Sequence, residues 1–424
     1  LVQRHDQMLA VLFIDLDGFK TINDSLGHAA GDRLLAVIAT RLLGCVRTSD
    51  TVARLGGDEF ALLVEDATDE AATAAVAERI AASVRHPLLI DGKEVFMTAS
   101  IGIATANEDG SAADLLRNAD MAMYVAKSKG KARWERFEPG MHAKALERLD
   151  LEAELRRALD HGGEFVLLYQ PIVQLQTGEV KGVEALVRWM HPQRGMLTPV
   201  QFIPLAEETG LIVPLGLWVL REACRQAQVW EQRRRSATPL TLTVNVSGYQ
   251  LQYEGVVGDV RSALADSGLD PHRLVLEITE SVLMQQNETI LERLRALKAV
   301  GVRLAIDDFG TGYSSLGYLQ RFPIDILKID KAFVDDIGAT GVEPALVRAI
   351  IALGDTLQLQ TIAEGIELKQ QWHGLQELGC EMGQGFLFAR PVSVMQIDAM
   401  FGGPGVGTAA ALLPSDVGTG QAAR

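Results

Sequence analysis

Two rhythms of apolar and polar residues divide this 424-residue chain. Over residues 1–138, strand-length apolar runs alternate with stretches whose apolar residues recur at helical spacing: "LAVLFIDLD", a helix around "AGDRLLAVIATRLLGCV", "VARLGGDEFALLVE", "DEAATAAVAERIAASV", "FMTASIGIAT" and "SAADLLRNADMAMYVAKSKG". Such alternation predicts an α/β sandwich, helices layered on a sheet. Pro139-Gly140 breaks the pattern and a charged helix restarts, so a boundary is expected near residue 140 and a linker helix over 139–163. From 164 to 402 the chain repeats short β-branched strands and helices: "FVLLYQPIV", "VKGVEALVRW", "LTLTVNVS", "RLVLEITE", "VRLAIDDF", "DILKID", "LQTIAEGI" and "MGQGFLF". Eight strands in about 220 residues predict a barrel with an outer helical ring. Only "QLQTGE" joins the first two strands, which is too short for a parallel crossover, so the first should run antiparallel to the second. Residues 403–424 are rich in Gly, Ala and Pro without periodicity and are expected to be disordered.

The apolar stretches "MLAVLFI" and "LIVPLGLWVL" fall short of the roughly 20 residues that cross a bilayer. No basic segment followed by an apolar one opens the chain, which begins abruptly inside a domain, so sensory or membrane parts are expected ahead of it. Cys45, Cys224 and Cys380 are far apart and odd in number, which argues against disulfides or a zinc site and suits a reducing cytoplasm. A formal charge of −15 opposes binding to DNA, whose phosphates require a basic footprint. A small anionic ligand stays open, because metals and a few placed cations can reverse the local field.

In the predicted barrel, polar residues collect at strand ends. Glu184 ends "GVEALVRW", Asn245 ends "LTVNVS", Glu277 and Glu280 end "LVLEITE", and Asp307 and Asp308 end "RLAIDD". Lys328 and Asp330 end "ILKID", Glu364 and Glu367 follow "QTIA", and Gln384 opens "GQGF". Barrel active sites are built at this C-terminal face. A lone acid after a strand is ordinarily a helix cap or turn residue. A whole rim of carboxylates is different, because mutual repulsion is costly unless cations offset it. Hard oxygen ligands suit Mg²⁺ or Mn²⁺, and two such ions together can polarise a phosphoryl oxygen and turn a bridging water into a nucleophile.

The segments "YQPIV", "EALVRW", "VNVS", "LEITES", "AIDDFGTGYSSL", "LKID", "AEGIE" and "GQGF", in this order over about residues 150–400, resemble the EAL phosphodiesterase family. That resemblance implies a modified TIM barrel that hydrolyses cyclic di-GMP to linear pGpG with two divalent ions per active site. It implies Glu184, Asn245, Glu277, Asp307, Asp308 and Glu364 as metal ligands, with Glu184 and Glu364 counted as catalytic, and Lys328 assisting the attacking water. Glu280 would hold the loop at 307–316, Glu367 and Gln384 would support the metal shell on the substrate side, and Gln170 and Arg188 would contact substrate.

"RLGGDEFALL" in the first domain sets two glycines between strand-like runs, the pattern of a two-residue hairpin, with Asp58 and Glu59 at its exit on opposite faces. "LAVLFIDLDGF" sets Asp15 and Asp17 on one face of a strand. Plain turn chemistry explains the hairpin taken alone. "DLDGFKTINDSLGHAAGD", "RLGGDEF" and "NADMAMYVAKSKGK", however, resemble the GGDEF diguanylate cyclase family over residues 5–135. This implies a nucleotidyl-cyclase-like domain joining two GTP into cyclic di-GMP across a homodimer. Asp15 and Asp58 would hold metals, with Asp58 and nearby Glu59 counted as catalytic and the Leu16 carbonyl contributing. Asn23 and Asp32 would recognise guanine, and Lys20, Lys127 and Lys131 the phosphates. Lys131 stands where the family usually has arginine, which keeps the charge and loses the bidentate fork. In "RTSD", Arg47 and Asp50 fall where the family's product-inhibition motif lies, five residues separating Asp50 from Gly56. The family's Asp-x-Leu-Thr segment is missing ahead of "LVQRHDQ", which weakens the expectation of cyclase output. Three readings follow: a bifunctional enzyme, a hydrolase regulated by a GTP-binding first domain, and a dinucleotide receptor without activity.

Overall fold

Strand β1 (Met8–Asp17) is the centre of a sheet ordered β2-β3-β1-β6-β7 in the computed structural model. The flanking strands are β2 (Thr51–Gly56), β3 (Glu59–Ala67), β6 (Thr98–Thr105) and β7 (Trp134–Arg136), while β4 (Leu88–Ile90) and β5 (Lys93–Val95) form a separate hairpin. The structure describes residues 8–90, 92–106, 111–233, 239–284, 288–310, 319, 321–337 and 344–401. The expected disordered tail at 403–424 therefore lies outside the described residues.

Alternation along β1 builds both layers of this first unit. Leu12, Ile14 and Leu16 pack with Leu34, Ile38, Ala77 and Ile80 of helices His28–Gly44 and Glu70–Arg85. Val11 and Phe13 point the other way, onto Leu115, Ala119 and Met123 of helix Ala112–Ser128. Both helix starts are written locally: Asp69 accepts from the Ala72 amide at 2.7 Å, and Ser111 and Asp114 form a reciprocal capping box. The hairpin differs from the expectation by one residue. Gly56 pairs with Glu59, so the two turn residues are Gly57 and Asp58, and Gly57 takes the left-handed φ of 49° that a tight hairpin demands.

The chain divides into compact units Leu1–Asp150 and Leu151–Arg424, a division that falls inside helix Met141–His161. In the second unit, β8 (Phe165–Gln174), β9 (Val180–His191), β11 (Thr241–Asn245), β12 (Leu274–Thr279), β13 (Arg303–Phe309), β14 (Ile326–Ile329), β15 (Gln360–Ala363) and β16 (Met382–Gly383) close into a barrel, with β10 (Gly195–Leu197) as an added arm on β9. Neighbours from β9 and β11 through β16 pair parallel, and β8 pairs antiparallel with both β9 and β16, as the short turn required. A large apolar core lies between strands and outer helices. Inside the barrel, Ile172, Val275, Ala305, Ile326, Ile362 and Met382 form a separate buried layer. No described helix is long and apolar enough to cross a membrane. All three cysteines are free and buried.

Candidate active site

The apolar plug inside the barrel dictates what lies above it. Side chains alternate along a strand, so two residues beyond each plug residue the chain again faces the interior. Those positions are Glu277 after Val275, Asp307 after Ala305, Lys328 after Ile326, Glu364 after Ile362 and Gln384 after Met382. On antiparallel β8 the same step runs backwards, from Ile172 to Gln170, which lies opposite Glu184 in the ladder. A polar layer thus rests on an apolar floor at the C-terminal face.

Lys328 is the hub. Its ammonium is buried and lies 2.5 Å from Glu277, 2.5 Å from Glu364, 3.4 Å from Asp307 and 3.8 Å from Glu184. Burial alone would depress its pKa, but the four carboxylates hold it well above the ordinary lysine value. Glu184 is fixed by Asn245 Nδ2 at 2.8 Å and Gln384 Nε2 at 2.7 Å, and Gln384 Nε2 also reaches Gln170 Oε1 at 2.8 Å. Gln170 in turn donates to the Ala389 carbonyl at 3.0 Å.

Asp307 and Asp308 both serve the rim because β13 is bulged. The register slips between Ile306 and Phe309, and Asp308 has a φ of 54°. In a regular strand consecutive side chains face opposite ways; one inserted residue re-aims them. Burial pushes Glu364 up to about 8, and burial and then the Asp307 charge push Asp308 up to about 6. Glu277 is raised well above the carboxylate range by burial, against the pull of Lys328. Asp307 ends below its usual value: burial raises it, and the Lys328 charge with added hydrogen bonding outweighs that.

Two sets of acids each bring one carboxylate oxygen within 4.8 Å of the others: Glu184, Glu277 and Glu364, and Asp307, Asp308 and Glu364. The two sets share Glu364. Glu277 Oε2 and Gln384 Oε1 are buried without hydrogen-bond partners, and Asp307 Oδ1 has only the longer contact to Lys328. Five carboxylates against one ammonium, all-oxygen donors and orphaned acceptors together fit hard divalent cations.

Other residues singled out from the sequence lie around this layer. Glu280 is buried and Oε2 accepts from the Gly310 amide at 2.8 Å; residues 311–316 of the glycine-rich loop lie outside the described residues. Asp330 caps the helix after β14 through the Ala332 amide at 2.7 Å. Glu367 is at the rim rather than in the layer, paired with Lys331, a partner the sequence reading did not name. Arg188, half-buried on β9 two alternations beyond Glu184, has its pKa lowered by burial.

In the first unit, Asp15 lies directly opposite Glu59 across the β1–β3 ladder, so the two share a face, and Asp58 follows in the turn. Asp15 is buried and its carboxyl is raised, first by burial and then by Asp58 and Asp17, while Lys127 at 2.5 Å opposes this. The Leu16 amide meets the Asp58 carbonyl at 3.4 Å. Asn23 lies against Gly31, next to exposed Asp32, and its buried Oδ1 has no partner. Lys20 and Lys131 are exposed. Asp50 accepts from the Arg47 amide at 2.8 Å and from the Glu65 amide at 3.2 Å, so its carboxylate shapes the local turn. Among the described residues, neither set of three or more acids lies in this unit.

Comparison with known proteins agrees with this division. The profile of the EAL domain matches residues 152–391 and that of the diguanylate cyclase GGDEF domain matches residues 1–133. The chain is 48% identical over 395 residues to Pseudomonas aeruginosa MucR, named a bifunctional diguanylate cyclase/cyclic di-GMP phosphodiesterase, covering 93% of this chain and 57% of the relative. It is 40% identical over 394 residues to Escherichia coli PdeR, named a cyclic di-GMP phosphodiesterase, covering 93% and 59%. The solved PaMucR phosphodiesterase in complex with c-di-GMP matches with a TM-score of 0.54 and 46% identity, over 59% of this chain and 99% of that one. The chain thus spans under two thirds of the length of these curated relatives.

Proposed function

The chain belongs to the EAL domain family and carries a GGDEF domain ahead of it, and from that premise we propose that it turns over cyclic di-GMP in both directions. The second unit hydrolyses cyclic di-GMP to pGpG, and the first condenses two GTP into cyclic di-GMP. The observation that carries the hydrolase is the pair of acid sets sharing Glu364 around Lys328. Glu184, Asn245, Glu277, Asp307, Asp308 and Glu364 would hold two Mg²⁺ or Mn²⁺ ions. Bound there, the cations supply an acidified water and polarise a phosphoryl oxygen.

The chain's own groups set the rest of the chemistry. With no cation bound, the four carboxylates keep Lys328 protonated, so it donates hydrogen bonds and positive charge to them, and it would assist an incoming water from the same place. Gln384 and Asn245 lock Glu184 from two sides, leaving it little freedom to turn. Gln170, anchored on Ala389, and Arg188 supply an amide and a guanidinium that suit a phosphodiester and its guanine bases. The glycine-rich loop starts where Glu280 holds Gly310, which ties the Asp307–Asp308 bulge to the short helix after β12.

Cyclase chemistry requires two GTP sites facing each other, so the first unit works as a homodimer. A specific observation favours a second reading of that unit as a GTP-binding regulator: Lys127 already neutralises Asp15, and the acid sets lie elsewhere. The free, buried cysteines support action in the cytoplasm. Incubating cyclic di-GMP with the chain and Mg²⁺ or Mn²⁺ gives pGpG, and chelator or Glu184→Ala abolishes it; no pGpG from a metal-replete sample refutes the hydrolase. GTP with Glu184→Ala accumulates dinucleotide if the first unit is a cyclase. Absence of product, with GTP accelerating hydrolysis by the unmutated chain, selects the regulator.

A further inference from the structure

Lys131 and Ala132 are consecutive non-glycine residues with φ of 61° and 53°. L-residues enter this left-handed region at a steric cost and stay there only when their surroundings over-determine them. Four contacts do so, the first being the Lys131 amide donating to the Ala126 carbonyl at 3.1 Å at the end of the preceding helix. The Ala132 amide donates to Asp17 Oδ2 at 3.1 Å, the Ala132 carbonyl accepts from Arg85 Nη2 at 2.7 Å, and the Lys131 carbonyl accepts from Arg133 Nε at 3.4 Å. Asp17 is itself held from the neighbouring strand, its Oδ2 accepting from Thr98 Oγ1 at 2.7 Å and its Oδ1 from Ser100 Oγ at 2.8 Å. Both carboxylate oxygens are therefore engaged by protein donors. Asp17 shares a face of β1 with Asp15, yet its bonding differs from that of a ligand waiting for a cation.

We infer that Asp17 is a positioning residue for the nucleotide site of the first unit: it pins the left-handed Lys131–Ala132 turn to the end of β1, beside Asp15. Lys127, one helical turn before, is bonded to Asp15, and the clamp fixes the backbone that carries Lys131, so two of the three lysines that would meet a nucleoside triphosphate are tied to the end of β1. This rests on the proposed reading of that unit as a GTP site. Alternation along β1 assigns Asp17 the same standing as Asp15; the three donors separate them.

The test uses the full chain and the α,β-methylene analogue of GTP with Mg²⁺, titrated by calorimetry, alongside hydrogen exchange of the peptide 127–134. Asp17→Ala is expected to weaken binding about tenfold and to speed exchange at Ala132. Asp17→Asn, which keeps one acceptor, is expected to fall between the two and covers the case of an unfolded alanine variant. Ala132→Gly frees the turn of its Cβ penalty; alone it leaves affinity within about twofold, and added to Asp17→Ala it recovers at least threefold. Faster exchange with unchanged affinity overturns the positioning role, as does affinity loss that glycine cannot rescue. Failure of the wild-type chain to bind the analogue overturns the GTP-site reading and this inference with it, and is told apart from a failed clamp by exchange at Ala132.

Discussion

Metal binding at the barrel rim must expel protons, and the number can be worked from the acids. Glu364, with its carboxyl pushed up to about 8, holds roughly 0.9 of a proton at pH 7, while Asp308, near 6, holds about 0.1. Asp307 lies below its usual value and holds none there. Glu277 is raised well above the carboxylate range, but it shares Lys328 with Glu364, so the two titrate as a unit. The cluster therefore gives up between about one and two protons when a divalent cation binds at pH 7. The sign follows from the direction of the shifts: cations require the ionised acids, raised carboxyls are protonated below their folded pKa, and affinity climbs with pH until Glu364 is titrated past about 8. Over that window the apparent affinity rises roughly tenfold or more per pH unit. Calorimetric titration with Mn²⁺ in buffers of different ionisation enthalpy reads the proton count directly. At pH 9 the count falls by most of a proton, and Glu364→Gln lowers it by about one at pH 7. A count of zero for the wild-type chain at pH 7 refutes the reasoning.

Replacing Lys328 by Met leaves four carboxylates within 4 Å of a vanished charge; the expected cost is about 3 kcal/mol without metal, or roughly 6 °C or more in the unfolding temperature of the second unit, and it shrinks on adding Mn²⁺. Equal unfolding temperatures for the two proteins would show that Lys328 does not hold the cluster. Arg188→Ala is expected to raise KM for cyclic di-GMP about tenfold or more with kcat little changed, a split read from steady-state rates. Glu280→Ala removes the acceptor of the Gly310 amide and should lower kcat about tenfold while Mn²⁺ affinity, measured by titration, holds.

Much of this was legible because strand periodicity is local. "VLE", "AID", "ILK", "IAE" and "MGQ" each repeat an apolar plug residue and a polar one two positions on, and the brevity of "QLQTGE" forced an antiparallel first strand. What periodicity could not reveal depends on tertiary partners. Asp307 and Asp308 should alternate faces; the bulge that gathers them rests on a left-handed aspartate no propensity foretells. The hairpin slipped by one because pairing of Gly56 with Glu59 is decided by β2 and β3 together. The family resemblance alone set Glu367 in the expected metal shell, and its side chain pairs with Lys331 at the rim. Asp17 looked equivalent to Asp15 until Thr98 and Ser100, some eighty residues away, claimed its oxygens. The short elements β4, β5, β7 and helix Phe19–Leu26 have too few residues to show a period.

The account stands on acids from the ends of four strands, β9, β12, β13 and β15, sharing two cations. Anomalous scattering from crystals of the chain soaked in Mn²⁺ tests this most directly. Two peaks are predicted, one reached by Glu184, Glu277 and Glu364 and the other by Asp307, Asp308 and Glu364, with both weakened in Glu364→Ala. Crystals that take up Mn²⁺ elsewhere while this rim stays without a peak would contradict it.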